Sequence, residues 1–227
     1  MSKSSTRHPK NPKIRPPAFD VVAVAVSAGG LAALGTVLGA LPADFPVPIL
    51  IVQHLDPRHK SVMADILARH TPLRVKEAAH GESIRAGVVY IAPPDRHLLV
   101  DGDGTLSLTQ TELVHFVRPS ADLLFESVAA GYKDRAIAAV LTGTGSDGSM
   151  GVQAVKKMGG TVIAQDEKTS QFFGMPGSAI QTGCVDFVLP LDEIPFVITS
   201  FLRNKTARQA LAADGGRRSD SSEGAVG

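Results

Sequence analysis

The chain has 227 residues, 44% hydrophobic and 20% charged, with 23 Lys/Arg against 22 Asp/Glu and a formal net charge of +1. That is the composition of one ordinary globular domain with enough chain for a proper core. It excludes a global field that would recruit nucleic acid or an anionic membrane. No apolar run is long enough to insert in a bilayer, and the first residues carry no secretory signal.

Residues 1–17 hold five Lys/Arg, four prolines and no acids, and they read as a disordered basic tail. The domain proper is expected over residues 18–203. Its first element, Val21-Val-Ala-Val-Ala-Val, is a run of small and β-branched apolar residues, the mark of a strand buried on both faces of a parallel sheet. The run breaks at Ser27-Ala-Gly-Gly, and Leu31-Ala-Ala-Leu-Gly-Thr-Val-Leu continues at helical spacing. Ser27 therefore stands at a carboxyl strand end beside a helix start, where free N–H groups face an anion. On this stretch alone, two readings stay open: a nucleophile on a sharp turn, or a glycine turn that binds phosphate or only turns the corner.

Ile49-Leu-Ile-Val is a second buried strand, running into Gln53-His54. Residues 60–70 have helical spacing, Leu73 to Ala78 alternate as a short strand, and Gly87-Val-Val-Tyr-Ile-Ala is another. His97-Leu-Leu-Val and Thr105-Leu-Ser-Leu-Thr flank Asp101-Gly-Asp-Gly as an antiparallel hairpin. A calcium loop from Asp101 to Glu112 is rejected, because Leu106 stands where the loop needs glycine. A helix is expected from Pro119 and Ser120 to Gly131, with proline in its first turn and glycine after its last. Arg135 to Leu141 is a third buried strand, leading into Thr142-Gly-Thr-Gly-Ser-Asp147-Gly and a helix over 152–158. Strands over 161–166 and 185–189 follow, and a helix over 192–202 closes the domain. Cys184, the single cysteine, lies in an apolar run, which predicts a buried, inert thiol; having no disulfide partner, it fits a reducing cytoplasm. Past Asn204 the chain loses all periodicity and reads as a second disordered tail, 204–227. Alternating strands and helices predict an α/β fold, a doubly wound, mostly parallel sheet with a small antiparallel hairpin insertion.

Ligands of such sheets bind at the carboxyl strand ends. Three buried strands run into Ser27, His54 and Asp147, a set that fits a hydroxyl nucleophile, an imidazole base and a carboxylate orienter. Each has a plainer reading: a histidine after a strand often caps or packs, and Asp147 in a glycine-rich turn serves as an N-cap. Strand order, which decides whether the three meet, is not readable from the chain.

Val24-Ala-Val-Ser27-Ala-Gly-Gly, Gln53-His54, Ile91-Ala-Pro-Pro-Asp-Arg-His97, Arg118-Pro-Ser-Ala-Asp-Leu-Leu-Phe125, Leu141-Thr-Gly-Thr-Gly-Ser-Asp147-Gly and Phe173-Gly-Met-Pro176 occur in the order found in another group of proteins. Over residues 20–203 the chain resembles the chemotaxis protein-glutamate methylesterases (CheB-type). The resemblance implies hydrolysis of glutamate γ-methyl esters on the cytoplasmic helices of methyl-accepting receptors, releasing methanol, often with glutamine deamidation. It places the catalytic triad on Ser27, His54 and Asp147 and the oxyanion donors on the backbone N–H groups of Ala28 and Thr144, with no cofactor or metal. It further implies a cytoplasmic location.

The chain departs from the family pattern at Ala25 (usually Gly), Ala28 (often Thr), Thr144 (often Met) and Val117 (commonly His), positions that bear on substrate preference. The family's usual N-terminal phosphoacceptor domain finds no counterpart in residues 1–17, so regulation is expected from a separate protein acting in trans. Two further readings compete. A catalytically weak domain of this fold would serve as an interaction module in a signalling complex. A nucleotide-binding domain lacks its G-x-G-x-x-G after the first strand.

Overall fold

The computed structural model describes residues 20–54 and 62–203. The two expected tails and the start of the predicted 60–70 helix lie outside them. Seven strands form one all-parallel sheet in the order β3-β4-β2-β1-β7-β8-β9. They are β1 (Val21–Val26), β2 (Ile49–Gln53), β3 (Arg74–Glu77), β4 (Val88–Ile91), β7 (Ala136–Val140), β8 (Thr161–Gln165) and β9 (Phe187–Leu189). The hairpin insertion is there as a separate antiparallel pair, β5 (His97–Val100) and β6 (Leu106–Thr109).

Alternation along β1 sorts the two faces. Val22, Val24 and Val26 join one core with α1 (Gly30–Gly39), α2 (Met63–Leu67) and α6 (Ile194–Arg203). Val21, Ala23 and Ala25 join a second core with the hairpin, α3 (Ala121–Tyr132), α4 (Ser149–Lys157) and α5 (Gly174–Gln181). All six β1 residues are buried, which is why the run lacks the polar–apolar alternation of a one-faced strand. The second face is lined by small residues, Ala23, Ala25, Ala136 and Ala138, which leave room for α3 and its Phe125.

Four local expectations change. The 60–70 helix reduces to α2, because beyond Leu67 the bonds tighten to His70 N–H→Leu67 O, and Thr71 Oγ1 donates to Leu38 O at the end of α1. Pro119 lies outside α3, behind an extended Ser120 (φ −112°, ψ 132°). Gly131 falls inside α3, where a Cβ would stand 3.1 Å from Gly102 Cα of the hairpin turn. Cys184 is half-buried, not buried.

Candidate active site

The strand order answers what the chain could not. β1 lies between β2 and β7, so Ser27, His54 and Asp147 follow three adjacent strands at one carboxyl edge. Val26 pairs with Gln53 across β1 and β2, which sets Ser27 beside His54 one strand spacing away, about 4.8 Å between backbones. On the other side Ser27 N–H donates to Thr142 O at 3.0 Å.

The turn holding Ser27 is clamped from below by Gln53, which is 5% exposed. Its Nε2 donates to Ser27 O at 2.8 Å and to His54 O at 3.1 Å. One amide thus fixes both strand ends. Thr142 adds a second tie: its Oγ1 lies within donating distance of Ala28 O (3.1 Å) and Phe172 O (3.2 Å) and accepts from Phe172 N–H (2.9 Å).

His54 Nε2 and Asp147 Oδ2 are 2.8 Å apart. A carboxylate only accepts, so Nε2 carries the hydrogen and Nδ1 keeps its lone pair. Asp147 is nearly buried, and its carboxylate takes three further donors from the start of α3: Ser120 Oγ–H at 2.8 Å, Ala121 N–H at 2.6 Å and Asp122 N–H at 3.2 Å. Burial pushes its acidity range up, but the hydrogen bonds from His54, Ala121 and Ser120 outweigh that and hold it below the usual carboxylate value. Asp147 is therefore ionised at neutral pH. It caps a helix, as the plainer reading had it, but the helix is α3 rather than the α4 that follows it in sequence.

Asp122, one residue into α3, mirrors this by accepting from Gly151 N–H of α4 at 2.7 Å. Burial and then the charge of Asp147 push its carboxyl up, against the Gly151 N–H and the His115 ring. Its Oδ2 has no hydrogen bond, and His115 Nε2 stands 3.5 Å off.

The backbone N–H groups of Ala28 and Thr144 find no acceptor among the described residues. Thr144 belongs to the 142–147 loop, held from below by α5: Gly143 N–H donates to Phe172 O and Met175 N–H to Gly143 O, both at 2.9 Å. Other carboxylates are engaged elsewhere, Asp95 with Arg118 and Asp166 with Thr169. Among the described residues no group of His, Cys, Asp and Glu could hold a metal ion, and no helix is long and apolar enough to cross a membrane.

Sequence reasoning missed Gln53, Ser120 and Asp122 as parts of the site. The one signal in the chain is that all three stand inside the family motifs, Gln53 directly before His54, and Ser120 and Asp122 in Arg118-Pro-Ser-Ala-Asp.

A parallel α/β domain with a hydroxyl, an imidazole and an ionised carboxylate on three adjacent strand ends has the parts of a serine-dependent acyl-transfer site. Residues 22–198 match the CheB methylesterase family. The chain is 45% identical to protein-glutamate methylesterase/protein-glutamine glutaminase 2 of Anaeromyxobacter dehalogenans, over 81% of this chain and 54% of that protein. A protein of Leptospira interrogans is 42% identical over 78% of this chain and 91% of its own length. The crystal structure of the Thermotoga maritima CheB methylesterase catalytic domain superposes with a TM-score of 0.75 at 41% identity, covering 78% of this chain and 95% of that one. The chain belongs to the CheB methylesterase family and matches its catalytic domain, which is about half the length of the Anaeromyxobacter relative.

Proposed function

We propose that this domain hydrolyses glutamate γ-methyl esters on methyl-accepting receptor proteins at the cytoplasmic face of the cell. The observation that carries the reading is the 2.8 Å His54–Asp147 hydrogen bond, part-buried at the sheet edge beside Ser27. Ser27 Oγ attacks the γ-carbonyl while His54 Nδ1 takes its proton. A serine hydroxyl is a poor nucleophile at neutral pH without such a base. Asp147 holds the ring in the Nε2–H tautomer and stabilises the imidazolium that forms. The Ala28 and Thr144 N–H groups receive the developing oxyanion, being free of other acceptors among the described residues.

The tetrahedral intermediate collapses with its C–O bond to methanol breaking, and His54 returns the proton to the departing methoxy oxygen. Water, activated by the same Nδ1, then cleaves the acyl-enzyme to leave a glutamate carboxylate and free Ser27. With glutamine as substrate the same steps release ammonia, in keeping with the glutaminase in the relatives' names. Because the oxyanion donors are backbone groups, Ala28 and Thr144 in place of the family's more frequent side chains tune the pocket and leave the donors in place.

The test is methanol release from a methyl-esterified receptor fragment. Ser27→Ala should abolish it with the fold intact, and a serine-directed phosphonyl fluoride should label wild type once, at Ser27. Retention of most of the rate by folded Ser27→Ala ends the reading.

A further inference from the structure

We propose that Ser120 is a positioning residue of this reaction, its hydroxyl locking the plane of the Asp147 carboxylate so that Oδ2 stays on His54 Nε2. The proposal rests on the reading of His54 as the base that Asp147 orients.

A carboxylate can rotate about its Cβ–Cγ bond and exchange its two oxygens. In this site the oxygens are unequally held. Oδ2 carries His54 Nε2 at 2.8 Å and Ala121 N–H at 2.6 Å. Oδ1 carries Ser120 Oγ–H at 2.8 Å and Asp122 N–H at 3.2 Å. Without the Ser120 hydroxyl, Oδ1 keeps only the longer bond from Asp122 N–H, while Oδ2 keeps the short one from Ala121 N–H, so one of the two oxygens is weakly held. The carboxylate then turns more freely, and the imidazole loses the fixed partner that sets its tautomer and aim.

Ser120 is itself built in. It is fully buried, and its extended backbone holds its own N–H on His97 Nδ1 at 3.1 Å. The far nitrogen of that fully buried ring, Nε2, donates to Glu112 O at 3.0 Å. A carbonyl only accepts and an N–H only donates, so these two bonds select a single His97 tautomer. A chain of hydrogen bonds thus links Glu112 O, His97, Ser120, Asp147 and His54. The other titratable groups facing it are Asp122, on the same helix turn, and the half-exposed His115 beyond it. The α3 start is capped by Asp147 through Ala121 and Asp122 N–H, so the capping itself does not need the hydroxyl.

The experiment is steady-state kinetics on a methyl-esterified receptor fragment with the full chain. Ser120→Ala should lower kcat about tenfold, the fold-change of one hydrogen bond to a charged group, and leave KM within about twofold. In a protein already carrying His54→Ala, the same change should alter kcat less than about twofold, because the ring it serves is gone. Ser120→Cys, which keeps a weaker donor in a slightly larger side chain, should fall between and carries the same readouts if Ser120→Ala does not fold. Unchanged kcat in a folded variant overturns the proposal. So does an equal loss in the His54→Ala background, or a loss expressed in KM, since either marks a merely structural role. Full activity of His54→Ala itself would instead overturn the catalytic reading beneath it.

Discussion

Asp122 and Asp147 each hold the start of the other's helix. Asp147, two residues before α4, accepts from Ala121 and Asp122 N–H of α3, and Asp122, in the first turn of α3, accepts from Gly151 N–H of α4. Each carboxylate meets the positive end of a helix, which favours its charge. They sit in one buried patch, however, and like charges there oppose one another. The conflict is resolved unevenly. Asp147, with three side-chain and backbone donors beyond His54, is pushed down. Asp122, buried beside the Asp147 charge and with an unbonded Oδ2, is pushed up.

Asp122→Asn should therefore stabilise the fold near neutral pH. A carboxyl raised in the folded state binds its proton more tightly there than when unfolded, so its contribution is lost as pH rises from the ordinary carboxylate range through the raised folded value. Asn keeps an oxygen for Gly151 N–H and carries no charge to desolvate. We expect a melting temperature about 2–4 °C above wild type at pH ~7, the shift produced by ~1 kcal/mol in a domain of this size. The gap should close towards pH ~4. Melting curves across that range check it; a lower melting temperature for Asn at every pH would sink the argument.

Asp147→Ala should have the opposite sign. A carboxyl lowered in the folded state contributes stability that is present above its unfolded value and lost as pH falls through the folded one. Removing it strips partners from Ser120, Ala121 and Asp122 at once, a loss of roughly 3 kcal/mol at neutral pH. Relief of Asp122 offsets part of this, but burial, the larger cause of the Asp122 shift, stays. Urea unfolding should show the difference from wild type shrinking below pH ~4. A difference that does not change with pH would mean that the charge of Asp147 is not what holds α3.

The parts of this molecule legible in the chain are those whose physics is local. Val21–Val26, Ile49–Gln53 and Ala136–Val140 announce themselves because a strand buried on both faces must be apolar throughout. The hairpin at Asp101-Gly-Asp-Gly is legible for its turn chemistry. Gly174–Gln181 was not, since Gly-Met-Pro-Gly opens α5 with two glycines and a proline, and the helix is held by its contacts with the 142–147 loop. Pro119 misled because proline suits a first helical turn, while the extended Ser120 behind it is bound to His97 and Asp147, residues distant in sequence. The three candidate residues could be named from the chain, but their place on one sheet edge depended on β1 pairing with both β2 and β7.

Gly143→Ala should damage the site more than the fold. A Cβ at Gly143 would stand 2.4 Å from Met175 Sδ and 2.8 Å from Ser27 Cβ. The methionine can swing aside, but Ser27 can yield only by moving its turn. Overpacking of this kind costs about 1–3 kcal/mol. A displaced nucleophile costs more in rate, roughly a hundredfold in kcat/KM. Labelling of Ser27 by a phosphonyl fluoride should slow in parallel; labelling at the wild-type rate would show that the turn absorbs the methyl group without moving Ser27.

The last prediction sets two substitutions of Gln53 against each other. Its Nε2 donates to Ser27 O and His54 O, and its Oε1 is buried without a hydrogen bond. Gln53→Met keeps the length of the side chain, loses both donated bonds and removes the unsatisfied oxygen. Ser27 O retains Gly30 N–H at 2.9 Å, so the net cost should be about 1–2 kcal/mol. Gln53→Glu is closer in shape but turns a donor into an acceptor, aimed at two carbonyl oxygens that have nothing to give. The carboxylate must then protonate, or push Ser27 and His54 apart. At neutral pH Glu should therefore be the worse variant in both stability and kcat/KM, by about tenfold in rate against Met, and it should regain ground as pH falls and the carboxyl takes up its proton. Urea unfolding and ester hydrolysis for both variants, each measured near pH 5 and pH 8, decide the matter. If Met proves the more damaging at both pH values, the clamp acts through packing and not through the two hydrogen bonds.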